Sequence, residues 1–123
     1  MCKTLEKSKY ILNLQDNWDD EGSKRYKLST WKRMAKFFAN CNERAFNFQS
    51  SLDSPIISHS INGSIDVFWK DKNYKLLVNI PEDLNEKATF YGRGNKGNEI
   101  RGEFNPENHN NGLVMFLLNN QYL

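Results

Sequence analysis

Residues 92–98 read Gly-Arg-Gly-Asn-Lys-Gly-Asn, which puts three glycines and two basic side chains within seven positions. Glycine-rich turns expose backbone N–H groups, and Arg93 and Lys96 add positive charge, so the segment has the chemistry of an anion cradle. It lacks both GxxxxGK[ST] and GxGxxG. Phosphate loops also feed a helix N-terminus, whereas this one joins two stretches that read as strands, ATFYG and EIRGEF. Two readings stand: a long flexible hairpin tip, or a mobile basic flap that closes on a phosphate or nucleotide with Tyr91 and Arg101 beside it.

A second candidate pair is His59 and Asp66. PIISHSI and SIDVFWK flank Asn62-Gly63, a dipeptide that tolerates positive φ and suits a two-residue type I′ hairpin turn. Such a turn sets Ile61 opposite Ser64, His59 opposite Asp66, Ile57 opposite Phe68 and Ile56 opposite Trp69. A carboxylate beside an imidazole can orient it and favour its charged form. A catalytic base also needs a nucleophile in reach, and in this register Ser58 and Ser60 point to the other face. The pair therefore reads as a cross-strand polar contact, and no catalytic residue is assigned.

The acidic stretch Asp16, Asp19, Asp20 and Glu21 fails the EF-hand pattern, because Trp18 stands where an oxygen ligand is needed. It reads as a solvated loop with Trp18 as a structural anchor. Cys2 and Cys41 lack metal-ligand or CxxC spacing and read as thiols in a reducing compartment. No metal or cofactor is expected.

The elements that must position these residues follow from periodicity. Residues 3–14 form a loosely periodic helical segment, and residues 30–46 an amphipathic helix. In the latter, Ser29 is the expected N-cap and Trp31, Met34, Ala35, Phe38, Cys41, Asn42 and Ala45 form the apolar stripe. Lys32, Arg33 and Lys36 fall on its solvated side. From Pro55 the period becomes two. Alternation sorts Ile56, Ile65, Val67 and Trp69 to a core face, continued by Leu76, Val78 and Ile80 when Tyr74 pairs with Trp69. Phe90, Ile100 and Phe104 join the core. Asn105 and Pro106 are the expected N-cap and first residue of a C-terminal helix that contains Leu113 to Leu118.

The fold class expected is α+β: N-terminal helices, then a five-strand antiparallel meander sheet, then a C-terminal helix, all in one domain spanning residues 1–123. Hydrophobic residues make up 38% of the 123 and aromatics 13%, enough for one core but not two. Ten basic side chains face six acidic ones in residues 1–50, and seven face nine in the remainder, a tilt too small for a dedicated nucleic-acid binder. No apolar run reaches membrane-span length and the N-terminus lacks a secretory h-region, so a cytoplasmic protein is expected.

The stretches LNLQDNWDDEGS and SPIISHSINGSIDVFWKDKNYKLLVNI resemble small uncharacterised prokaryotic and phage proteins. Those proteins share an Asn-Trp-Asp loop, a helix, and a Gly-Ser-Ile-Asp strand ending in Trp. The resemblance spans residues 12–80, implies the order helix, hairpin, strand, and carries over no catalytic residue. It implies a phage or mobile-element accessory protein.

Alternation leaves a second sheet face bearing His59, Asp66, Phe68, Lys75, Asn79, Tyr91, Arg101 and Glu103. Polar groups interleaved with aromatic rings suit a protein–protein interface. The expected function is a non-enzymatic binding protein that uses this face for a protein partner or for self-association. The alternative is a binder of a small anionic ligand through Tyr91, Arg93, Lys96 and Arg101. A rival structural reading has the C-terminal helix covering the face.

Overall fold

In the computed structural model, which describes residues 2–121, the longest element is the helix expected from the 3.6-residue stripe. The elements are α1 (Lys3–Ser8), continued by a 3₁₀ turn (Lys9–Asn13), α2 (Leu28–Asn47), β1 (Ile56–His59), β2 (Ile65–Lys70), β3 (Lys75–Ile80), β4 (Ala88–Arg93), β5 (Glu99–Phe104) and α3 (Asn111–Gln121). The strands form one antiparallel sheet in the order β1-β2-β3-β4-β5, as the meander reading requires.

α2 begins earlier than Ser29 would set it. Lys27 occupies the N-cap without a side-chain hydrogen bond, and its carbonyl already accepts from the amides of Thr30 and Trp31. The buried arc is also wider than the stripe. Phe37 is 2% exposed and Arg33 is 7% exposed, so Arg33 is not on the solvated side. Its guanidinium donates to both carboxylate oxygens of Glu107, at 2.5 and 3.4 Å, and to the carbonyls of Asp83 and Glu86 at 3.3 and 2.9 Å. Burial of an arginine is tolerated when donors are used in this way. Lys32 and Lys36 remain exposed.

α3 also starts later than expected. Asn105 accepts the amide of Glu107 at 3.0 Å in a local turn, and the cap is Asn110, whose Oδ1 accepts the amide of Leu113 at 3.1 Å. The capping chemistry is the one anticipated, moved five residues along because Asn105–Asn108 closes a turn of its own.

α2, α3 and one sheet face share a single core. Trp69, Phe37, Ile11, Met34, Ile65, Leu76, Ile80 and Leu117 are its largest fully buried side chains. Each such side chain contributes on the order of 1.5–3 kcal/mol by leaving water. Trp31 ties α1 to α2 by donating to Ser8 Oγ at 2.9 Å.

The register of β3 differs from expectation by two residues: Trp69 pairs with Leu76, not with Tyr74. An even slip leaves every side chain on its assigned face, so Leu76, Val78 and Ile80 are buried as anticipated. β1 slips by one. Ile57 pairs with Val67 and His59 with Ile65. Asn62 and Gly63 do adopt the expected positive φ, 55° and 76°. The difference is a one-residue bulge, in which Ser60 donates to the Ser64 carbonyl while Ile61 accepts from the Ser64 amide, so two residues oppose one. Ile57 is consequently 7% exposed, in the core, and Ile56 is 69% exposed on the other face.

Candidate binding face

Register aligns the outer face of the sheet into three transverse rows. The central row is Ile56, Phe68, Leu77, Tyr91 and Arg101, each directly opposite the next across all five strands. On one side lies Ser58, Asp66, Asn79, Thr89 and Glu103, and on the other Lys70, Lys75, Arg93 and Glu99. α3 does not cover this surface. Its buried residues Leu113, Val114, Phe116, Leu117 and Leu118 belong to the core behind the sheet, while Phe68, Leu77 and Tyr91 stay half-buried among outer-face neighbours.

Tyr91 is the hub. Lys75 Nζ and Arg101 Cζ lie 5.5 and 5.3 Å from its ring centroid, and its hydroxyl donates to Glu99 Oε2 at 3.0 Å. Arg101 reaches the same carboxylate oxygen at 3.3 Å. Two cations over one ring and a shared carboxylate hold the aromatic surface upright on the sheet. In the neighbouring row Asn79 Nδ2 donates to Ser64 Oγ and Asp66 Oδ1, both at 2.9 Å, which fixes Asp66 in place.

No family model, curated protein or solved structure matches the chain.

Six residues singled out in the sequence, Asp66, Phe68, Lys75, Tyr91, Arg93 and Arg101, do gather on the outer face. His59 does not. The bulge turns it to the inner side, opposite Ile65 rather than Asp66, so the imidazole–carboxylate pair is not formed. Tyr10 Oη accepts from the His59 amide at 3.2 Å and lies 2.8 Å from Nδ1. The rings of Trp18 and Tyr10 meet the imidazole edge-on at centroid distances of 4.9 and 5.6 Å. His59 thus anchors the N-terminal segment to β1.

The glycine-rich segment is a short turn. Gly92 is a buried β4 residue, and the loop proper closes with Gly94 donating to the Asn98 carbonyl at 2.8 Å and Gly97 to that of Gly94 at 3.0 Å. Asn120 of α3 holds it from behind, its Oδ1 accepting the Asn95 amide at 2.9 Å. Lys96 stands exposed at the tip. Beside this turn and the Asp71–Tyr74 turn lies a cleft of about 510 Å³ lined by Phe68, Lys70, Lys72, Lys75 and Arg93 among others. Lys70 and Lys72 were legible only as turn residues. The two-residue hairpin register expected from Asn62-Gly63 puts Ile56 in the core, and the bulge turns it outward.

In the acidic loop, Asp16 accepts the Arg25 amide at 3.0 Å and Asp19 accepts those of Glu21 and Ser23 at 3.0 and 3.2 Å. The Ser23 hydroxyl and these amides hold the Asp19 carboxyl below its usual range. Trp18 donates to the Lys24 carbonyl at 3.2 Å, so the loop is closed by its own side chains. Burial pushes the Cys41 thiol up to about 12, which leaves it unreactive. No described helix is long and apolar enough to cross a membrane.

Proposed function

We propose that this chain is a non-enzymatic cytoplasmic binding protein that pairs with a second copy of itself through the outer face of its sheet. The observation that carries this is the central row. Four of its five members are apolar or aromatic, they lie in unbroken register, and no described element packs on them. Monomeric proteins rarely leave such a contiguous surface unpartnered, and an aromatic centre with polar flanks has the anatomy of an interface.

The flanking rows supply the reason for a second copy as partner. Lys70 and Lys75 lie on one side of the central row and Asp66 on the other. A two-fold axis laid along that row turns one sheet over onto another and sets Lys70 of each copy against Asp66 of its partner, with Lys75 and Arg93 against the polar Asn79 and Thr89. Such a contact is isologous and closes at two subunits. Two faces stacked this way sit about 10 Å apart, as in sheet sandwiches.

Sedimentation across a dilution series tests it. The wild type is expected to pass from monomer to dimer, and Phe68→Ala combined with Arg101→Glu to stay monomeric with an unchanged circular dichroism spectrum. A wild type that is monomeric at every concentration, or a double variant that dimerises equally, overturns the proposal.

A further inference from the structure

Lys70, Lys75 and Arg93 stand directly opposite one another on three adjacent strands. Like charges in this arrangement destabilise a sheet. The usual remedy is an interleaved carboxylate, yet among the described residues neither these three cations nor Lys72 forms an ion pair. Glu99, the cross-strand neighbour of Arg93, is engaged by Tyr91 and Arg101 instead. Asp71, the one carboxylate in the adjoining cleft, closes its own turn, with Oδ1 accepting the amides of Asn73 and Tyr74 at 2.6 and 3.1 Å.

The four cations converge on the cleft of about 510 Å³ between the β2–β3 and β4–β5 turns. That volume falls within the range of small-molecule sites. Phe68 supplies an aromatic wall, and Gly94, Asn95 and Gly97 bring backbone to its rim.

We infer that this cleft binds a small oligophosphate, with Lys75 and Arg93 as its principal contacts and Lys70 and Lys72 as supporting charge. Four cations against one carboxylate match a chain of two or three linked phosphates better than a single monoanion. Arg93 presents the planar fork that pairs with phosphate oxygens, and the lysines act as point charges. The ligand, not an internal carboxylate, neutralises the cross-strand ladder. The site differs from a glycine-loop cradle, because the charge comes from strand residues and the neighbouring turn, with Lys96 outside it.

Lys75 and Arg93 also belong to the face proposed to pair, so ligand and second copy compete for them. The test accordingly uses dilute protein, with sedimentation of the same samples reporting pairing separately, so that either reading can fail alone. Inorganic triphosphate and ATP are titrated calorimetrically, without divalent metal, into the wild type, into Lys75→Gln/Arg93→Gln, and into the exposed-helix control Lys32→Gln/Lys36→Gln. The wild type and the control are expected to bind alike, and the cleft variant about tenfold more weakly or worse, with less salt dependence. Equal affinity for the two ligands identifies the phosphate chain as what is recognised. Tighter ATP binding that Phe68→Ala erases adds a ring stacked on Phe68. Absence of binding to the wild type, or equal loss in the cleft and helix variants, overturns the site.

Discussion

The Tyr26 hydroxyl holds both backbone groups of Ser60: it donates to the carbonyl and accepts from the amide at 3.1 Å, across 34 positions of sequence. Ser60 is one of the two residues that oppose Ser64 in the bulge, so this contact sits where the register of β1 is decided. Removing the hydroxyl in Tyr26→Phe is expected to cost about 0.5–1.5 kcal/mol, since the part-buried Ser60 carbonyl loses its donor while the Ser60 amide keeps the Ser64 carbonyl. Chemical denaturation measures the cost, and faster exchange of the Ser60 amide locates it.

The bulge makes opposite demands on two adjacent isoleucines. Ile57→Ala is expected to cost about 2–5 kcal/mol through lost burial and a residual cavity. Ile56→Ala, at a 69% exposed position, should stay within about 0.5 kcal/mol of the wild type in protein dilute enough to be unpaired. Melting of the two variants checks this, and a two-residue hairpin without the bulge would reverse their order.

The Arg33–Glu107 contact gives stability a defined acid limb. Hydrogen bonding from Arg33 holds the Glu107 carboxyl below its ordinary value of 4.5. A depressed folded pKa means that the contribution is present above that value and is lost as pH falls through the folded pKa. Glu107→Gln should lower the melting temperature near neutrality and flatten the fall on the acid side. Arg33→Met should cost about 1.5–3 kcal/mol. Thermal melts of both variants between neutral pH and strong acid read the effect.

Tyr26 and Tyr74 shape the alkaline limb. Burial raises both phenols above 10, and for Tyr74 a hydrogen bond to Asp53 adds to the effect. A raised folded pKa makes stability complete below the unfolded value near 10 and erodes it as pH climbs through the folded one. Tyr74→Phe is expected to blunt that loss, as measured by melting in alkaline buffers with ultraviolet titration of the phenols.

Gly94 and Gly97 should respond to alanine for different reasons. A Cβ on Gly94 would meet Asn98 Oδ1 at 2.5 Å and Asn120 Oδ1 at 2.9 Å, so the turn would have to shift off α3. Gly97 has open space around it but φ of 84°, which costs an L-residue about 1–2 kcal/mol. Asn120→Ala combined with Gly94→Ala should therefore be less than additive, whereas Gly97→Ala combined with Asn120→Ala should add. Melting of the single and double variants resolves the cycle.

Residue types and periods by themselves determined the α+β order, the five-strand meander and the faces of β2 to β5, and with them the outer-face placement of Asp66, Phe68, Lys75, Tyr91 and Arg101. The reason is that burial parity survives an even slip: β3 moved by two against β2 and kept every side chain where alternation put it. Local chemistry also reported element types better than their edges. An asparagine cap does open α3, but Asn105 and Asn110 offer the same side chain, and only the turn formed by the first leaves the second to cap. Tertiary structure decided the rest, through contacts no local pattern encodes. Tyr26 and Tyr10 reach Ser60 and His59 from the N-terminal segment, and the bulge they hold carries His59 inward and Ile56 outward. Arg33 lies at helical spacing before Phe37, a hint that the buried arc was wider, yet its burial depends on Glu107 and two loop carbonyls 50 or more residues away. The cationic cleft is likewise a property of pairing. Lys70, Lys75 and Arg93 become neighbours only when β2, β3 and β4 lie side by side, because cross-strand distance, not sequence distance, sets the field they make together.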